Sequence, residues 1–181
     1  MGNLLKHVIT KLLRLLSKQE IQDRQIAIGI NSYTNIERDE HMLMLDYDTK
    51  NILTVMNDTK ELSSFFHLSD YEIYRTNNGY HVFFWYDNTL PYSRLKLIID
   101  YSRCDTSYKY ISRYYNYKTI RASGKYLIQD ITYIGAFTGK RIPTKDEREI
   151  AALKQKEYRA LKNILVDESL LKESNKIECK D

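Results

Sequence analysis

Two aspartates separated by a single residue follow an apolar run in the first third of the chain. The run, residues 43–45, leads into Asp46 and Asp48, and its short length favours a buried strand over a helix. Successive side chains of a strand point to opposite faces, so both carboxylates are predicted on one face. Neighbouring carboxylates repel each other unless a cation lies between them, and Mg²⁺ or Mn²⁺ would bind through such oxygens. The alternative is a strand that ends in a turn at Asp48.

A histidine lies on the second of two later runs that are rich in aromatic and β-branched residues. These runs, residues 71–76 and 80–86, flank Asn78-Gly79, which predicts a β-hairpin with a type I′ turn at those two residues. In that register His81 lies opposite Thr76, and opposite residues share a face of the sheet. The alternative for His81 is a half-buried structural residue on an aromatic strand.

Basic residues follow on a further predicted strand. Residues 118–122 favour a strand that carries Arg121, and the turn after it carries Lys125. Arg75 lies near the end of the first hairpin strand. These cations could bind phosphates, or they could be an ordinary solvated strand end.

The order of these features resembles the catalytic core of the archaeo-eukaryotic primase superfamily, the primase-polymerase enzymes. The resemblance covers roughly residues 25–135. The first family motif is an acidic pair separated by one residue after an apolar strand, and Asp46 and Asp48 match it. The second is a histidine within a strand, often written Gly-Tyr-His, and residues 79–83, which include His81, match it. The third is a further aspartate, and its match is weak.

The resemblance implies metal-dependent, template-directed nucleotidyl transfer, in which a 3′-oxygen attacks an α-phosphate and pyrophosphate leaves. It implies that Asp46, Asp48 and a third carboxylate are catalytic and hold Mg²⁺ or Mn²⁺, as in two-metal sites. Asp105 is the preferred third carboxylate because it lies between the hairpin and the Arg121 strand, and Asp130 is the alternative.

The resemblance also assigns the nucleotide-binding residues and the partners. His81 would contact the phosphates of the incoming nucleotide, and Arg121, Lys125 and Arg75 would add positive charge there. A single-stranded DNA template and nucleoside triphosphates are the implied partners. A helicase or another replication protein is the expected partner for starting chains, and so small a core suits the replication of a virus or plasmid.

Composition sets the class of protein. The chain has 181 residues, of which 43% are hydrophobic and 29% are charged, and this balance is typical of a globular domain. The net charge of +4 is compatible with nucleic acid without requiring it. The two cysteines lack the spacing of a zinc site, which favours a reducing, cytoplasmic compartment. No apolar run is long enough to span a bilayer, so no membrane association is expected.

The fold class expected from these patterns is α+β: a primase-polymerase-like core with a mostly antiparallel central sheet flanked by helices. Residues 1–24 form an amphipathic N-terminal helix, residues 25–142 the catalytic core, and residues 143–181 a C-terminal helical extension. Thr144 and Glu147 predict a capping box at the start of that extension.

Other functions remain compatible with the same sequence. The first is a non-catalytic replication protein that binds single-stranded nucleic acid, since the tyrosine-rich residues 108–117 could stack on bases as well as form a half-buried helix surface. The second is a metal-dependent nuclease, because paired aspartates also serve phosphodiester hydrolysis. A tyrosine-dependent nicking initiator is disfavoured, since none of the four histidines forms a His-hydrophobe-His motif.

Overall fold

The computed structural model describes residues 29–111, 114–122 and 131–164, with the side chains of the last segment described as far as residue 161. The predicted N-terminal helix at residues 1–24 lies outside the described residues. In chain order the elements are β1 (Gly29–Asn31), β2 (Tyr33–Asn35), β3 (Glu40–His41), β4 (Leu43–Tyr47), α1 (Ile52–Phe66), β5 (Tyr71–Arg75), β6 (Tyr80–Phe84), β7 (Leu90–Pro91), α2 (Tyr92–Tyr101), α3 (Thr106–Ile111), β8 (Thr119–Arg121), β9 (Thr132–Phe137) and α4 (Lys145–Ile164).

The strands form one principal sheet and two small ones. The principal sheet has four strands in the order β4-β6-β5-β9, and each neighbouring pair is antiparallel. The strands β2, β3 and β7 form a three-stranded sheet, and β1 and β8 form a two-stranded one. The prediction of an α+β fold with antiparallel sheets is therefore confirmed for the described residues, which include four helices.

The register of the principal sheet separates its two faces. Asp46 lies opposite His81, and His81 in turn lies opposite Tyr74. These three side chains share one face, because directly opposite residues of a ladder point the same way. Tyr47 lies opposite Tyr80 and belongs to the other face.

Helix α1 covers the Tyr47 face. The Tyr47 hydroxyl donates to Oδ2 of the buried Asp58 on α1, at 2.7 Å. Asn51 caps the helix, since its side chain accepts a hydrogen bond from Leu53 N. The helix is continuous from Ile52 to Phe66.

The β5–β6 hairpin differs from its predicted register. Arg75 lies opposite Tyr80 and Tyr74 opposite His81, so the two-residue turn is Asn77-Asn78. A type I′ turn needs positive φ at both central residues, but among the described non-glycine residues only Asp39 and His67 have positive φ, and no described glycine does. The Thr76 hydroxyl instead accepts a hydrogen bond from Gly79 N at 3.0 Å.

Helix α4 begins at the predicted capping box. Thr144 N donates to Glu147 Oε2 at 2.8 Å, and Glu147 N donates to the Thr144 hydroxyl at 3.3 Å. Arg141 contacts Glu147 Oε2 at 2.7 Å and the buried Asp87 at 2.9 Å. Burial raises the pKa of Glu147, but the hydrogen bonds from Arg141 and Thr144 outweigh burial and hold that pKa below its usual value.

The described residues fall into two compact units. The larger unit comprises Asn31–Ile120 and Ile131–Gln155, and it contains the principal sheet. The smaller unit includes residues 29–30, residues 121–122 and the end of α4 from Lys156. No helix within the described segments is long and apolar enough to cross a lipid bilayer.

Candidate functional site

Asp46 and His81 form a side-chain pair on the principal sheet. They occupy opposite positions on β4 and β6, and His81 Nε2 lies 3.6 Å from Asp46 Oδ1. The histidine side chain is only 2% exposed, whereas the aspartate side chain is 39% exposed. The carboxylate of Asp46 therefore reaches solvent with one buried imidazole beside it.

Asp48 lies just beyond the end of β4. The strand ends at Tyr47, and Asp48 is exposed. The turn of the neighbouring hairpin crosses this strand end closely, because a Cβ added at Gly79 would lie 1.7 Å from Tyr47 O. Only glycine fits that approach, so the segment that carries both aspartates is fixed by the hairpin turn.

Asp105 lies directly against Asp46. Its backbone N donates to Asp46 O at 2.7 Å, and the Tyr108 hydroxyl donates to Met44 O at 2.9 Å. These bonds satisfy carbonyls along the edge of β4 that does not face β6. Burial raises the pKa of Tyr108 well above its usual value, so this hydroxyl stays protonated and remains a donor.

The Asp105 carboxylate also has a local role. Its Oδ2 accepts a hydrogen bond from Tyr108 N at 2.7 Å, which is the contact of a residue that caps a short helix, here α3. The side chain is half-buried. Asp105 is thus placed beside Asp46 by its backbone, while one of its carboxylate oxygens stabilises the loop that brings it there.

Asp58 supports both acidic segments and was missed in the sequence. Its Oδ2 accepts from the Tyr47 hydroxyl at 2.7 Å and from Arg103 N at 2.8 Å. Tyr47 adjoins Asp46, and Arg103 lies two residues before Asp105. The signal available in the sequence was an aspartate on the apolar face of α1, three residues after the buried Val55.

The donor set fits a divalent cation only in part. Asp46 and Asp48 offer carboxylate oxygens, which Mg²⁺ and Mn²⁺ prefer. Across the segments that the structure describes, no three His, Cys, Asp or Glu side chains form a group that could hold a metal ion. Two carboxylates are therefore available at the end of β4, and Asp105 contacts the first of them, Asp46, through its backbone.

The predicted cations are not gathered at this carboxylate pair. Arg75 lies opposite Tyr80 and shares the Tyr47 face, so it stands across the sheet from Asp46. Arg121, the last residue of β8, belongs to the smaller unit. Lys125 and the alternative carboxylate Asp130 lie outside the described residues.

Lys118 is a buried cation that the sequence did not single out. Its side chain is buried, its Nζ donates to Tyr108 O, and it lies 4.3 Å from the centre of the Tyr108 ring. Burial lowers the pKa of Lys118 to about 8. The sequence pattern of its own strand does not mark this residue, because its contact is with Tyr108 on α3, ten residues earlier in the chain.

Aromatic rings form a row outside the principal sheet. The ring centres of Tyr115 and Tyr117 are 5.7 Å apart, those of Tyr117 and Tyr33 are 5.9 Å apart, and those of Tyr33 and His41 are 4.4 Å apart. Tyr115 is 55% exposed at one end of the row. Successive rings at such spacing, with an exposed end, can stack with the bases of a single strand.

Asp46 thus contacts the His81 ring through its carboxylate and Asp105 through its backbone, and Asp48 follows two residues later in the sequence. Comparisons with protein-family models, with curated protein sequences and with solved structures found no match for this chain. The primase-polymerase resemblance therefore rests on the motifs of the chain itself.

Proposed function

We propose that this chain is a metal-dependent nucleotidyltransferase with a primase-polymerase-like core, which makes or extends DNA on a single-stranded template. The observation that carries the proposal is the 2.7 Å hydrogen bond from Asp105 N to Asp46 O. It sets the third acidic residue of the resemblance against the first, although the two are far apart in sequence. Nucleoside triphosphates are the substrates, and a helicase or another replication protein is the partner for starting chains.

Asp46 and Asp48 supply the carboxylate oxygens, and Asp105 is the third acidic group. When bound, Mg²⁺ or Mn²⁺ would supply a Lewis acid for the reacting phosphate. His81 is a positioning residue in this proposal, because its buried ring contacts the Asp46 carboxylate. The phosphate contact that the resemblance implies for His81 would need a ring that is open to solvent.

The test is primer synthesis and extension on single-stranded DNA with labelled nucleotides and either Mg²⁺ or Mn²⁺. Wild type is compared with Asp46→Asn/Asp48→Asn. The matched control is Glu37→Gln/Glu149→Gln, which removes two exposed carboxylates and causes the same change of charge. We expect template-dependent product from wild type and the control, and a loss of about a hundredfold or more in the aspartate variant.

Three other results would decide against the proposal. Equal product from the aspartate variant would show that these carboxylates do not act in catalysis. Cleavage of DNA without added nucleotide would identify the nuclease instead. Absence of product with both metals, together with intact binding of single-stranded DNA, would favour the second candidate.

The second candidate is a non-catalytic protein that binds single-stranded nucleic acid. The row of Tyr115, Tyr117 and Tyr33 favours it, as does the lack of a three-ligand metal group among the described residues. Oligonucleotide affinity should fall about tenfold in Tyr115→Ala/Tyr117→Ala, since base stacking contributes roughly 1–3 kcal/mol per base. Tyr115→Phe/Tyr117→Phe keeps the rings and should keep the affinity. Equal affinity of the alanine variant would exclude stacking on this row.

A further inference from the structure

A polar groove opens at the end of the β5–β6 hairpin. We call it the hairpin groove, and its volume is about 380 Å³. The residues that line it are polar, aromatic or basic, and they are Thr49, Lys50, Arg75, Thr76, Asn77, Gly79 and Tyr80. Two cations and no acidic residue appear among these described lining residues, so the groove is suited to an anion.

The two cations come from separate segments that the fold holds together. Lys50 follows the end of β4, and its Nζ donates to Asn77 O in the hairpin turn. Arg75 ends β5, and its exposed side chain lines the same groove. The close approach of Gly79 to Tyr47 O fixes the distance between these segments. The backbone therefore places Lys50 and Arg75 at the same groove.

Hydroxyl groups complete the lining, and a helix begins just after Lys50. Thr49 and Thr76 offer side-chain hydroxyls beside the cations. Lys50 immediately precedes Asn51, the cap of the 15-residue α1, and the first turn of α1 carries no acidic residue. The partial positive charge of that helix start is left without a neighbouring carboxylate in its own turn, which favours an anion nearby.

We infer that the hairpin groove binds phosphate groups, with Lys50 and Arg75 as the charged ligands. It is separate from the Asp46 carboxylate, because Arg75 and Tyr80 lie on the Tyr47 face of the sheet and Asp46 lies on the other. A guanidinium and an ammonium that converge on one groove are the usual ligands of phosphate oxygens. The phosphate could belong to a polyphosphate or to a nucleic-acid backbone, and the inference goes beyond the proposed chemistry at Asp46.

The test measures binding of tripolyphosphate and of a single-stranded oligothymidylate to the full chain by calorimetry, at low salt. Lys50→Gln/Arg75→Gln removes both cations. Arg38→Gln/Lys60→Gln, two exposed cations outside the groove, is the matched control with the same loss of charge. We expect affinity for one or both probes to fall about tenfold in the groove variant and to change less than about twofold in the control.

Chemical shifts locate the site independently of affinity. Addition of the bound probe should move the amide signals of Thr76, Asn77 and Gly79 in wild type, and should leave them unmoved in the groove variant. A response to tripolyphosphate assigns the groove to polyphosphate, and a response to the oligonucleotide alone assigns it to the backbone. Both results support the inference.

Two results would overturn it. One is no binding of either probe to wild type, and the other is an equal loss of affinity in the groove variant and the control. Asp46→Asn, on the opposite face of the sheet from Arg75, should keep binding at the groove. Phosphate binding at the groove can therefore be measured even if the chain has no nucleotidyltransferase activity. Catalysis can likewise be measured even if the groove binds no phosphate.

Discussion

His81 Nε2 lies 3.6 Å from Asp46 Oδ1, and the two residues occupy directly opposite positions on neighbouring antiparallel strands. The imidazole is buried and the carboxylate is partly exposed, so the histidine can restrain the aspartate without meeting a ligand itself. In the candidate site, His81 therefore orients the carboxylate of Asp46.

Replacement of His81 by Phe should therefore weaken Mn²⁺ binding through Asp46. Loss of a residue that orients a metal ligand typically lowers metal affinity about ten- to a hundredfold. The measurement is Mn²⁺ titration followed by electron paramagnetic resonance. Tyr74→Phe is the control, because the Tyr74 hydroxyl donates to Glu72 and Tyr74 lies in the same row of the sheet. Unchanged Mn²⁺ affinity in the His81 variant would remove His81 from the site.

Asp105 allows its structural role and its chemical role to be separated. Asp105→Asn keeps an oxygen that can accept from Tyr108 N, so its stability should match wild type within about 0.5 kcal/mol. Asp105→Ala loses this cap and should cost about 1 kcal/mol of unfolding free energy. Product formation should fall about tenfold or more in both variants. Full activity of Asp105→Asn would leave Asp105 with the capping role alone. Urea denaturation and the extension assay supply the two measurements.

Gly79→Ala should disturb the end of β4. The new Cβ would lie 1.7 Å from Tyr47 O, a backbone atom that cannot rotate away, so either the hairpin turn or the aspartate segment must move. We expect a loss of about 2 kcal/mol or more in unfolding free energy. Gly135→Ala is the control in the same sheet, since its nearest atoms are in the Phe137 side chain at 3.7 Å and 3.8 Å. Similar stability of the two variants in thermal denaturation would contradict the close approach.

Arg141→Met should destabilise the larger unit. Arg141 contacts both Asp87 and Glu147, and its removal leaves two largely buried carboxylates without this cation. Removal of one partner of such a network costs about 3 kcal/mol. Arg148→Met, an exposed position on α4, should change unfolding free energy by less than about 0.5 kcal/mol. Equal midpoints of the two variants in urea would mean that the Arg141 contacts contribute nothing.

Lys118 should make stability rise with pH above neutrality. Burial lowers its pKa from 10.5 to about 8, so between these values the folded chain binds fewer protons than the unfolded chain. The free energy of unfolding therefore increases as pH rises through this window. Below about pH 8 Lys118 is charged in the folded chain, and the destabilisation from burying that charge is complete.

Lys118→Met removes that dependence. From pH 7 to pH 9 the free energy of unfolding of wild type, relative to that of the variant, should increase by about 1 kcal/mol. Urea denaturation at each pH measures it. Lys60→Met, at an exposed lysine, should run parallel to wild type. Parallel curves for wild type and Lys118→Met would show that the lysine has an ordinary pKa.

Short-range patterns in the sequence predicted β4 and the start of α4. The apolar run before Asp46 forms β4, and Thr144 with Glu147 forms the capping box of α4, because both depend on neighbours a few residues away. The hairpin turn was misplaced, because Gly79 is required by its approach to Tyr47 O and not by a positive φ. That approach joins two strands, and no local pattern contains it.

Residue type and order in the sequence marked Asp46 and His81 as candidates, but did not mark the residues that contact and support them. The role of Asp58 depends on contacts with segments elsewhere in the chain, and that of Lys118 on its contact with α3. The face that Arg75 occupies depends on the register of the hairpin. Sequence order shows which residues could act together, whereas the pairing of strands decides which face each one occupies.

One oxygen of Asp58 holds both acidic segments, since it accepts from the Tyr47 hydroxyl and from Arg103 N. Asp58 belongs to α1, so the two segments are tied to the same helix. Any opening of α1 that moves Asp58 therefore breaks both hydrogen bonds at once. The candidate site should therefore be lost on heating in a single step, and amide exchange of its two segments should share the rate of α1.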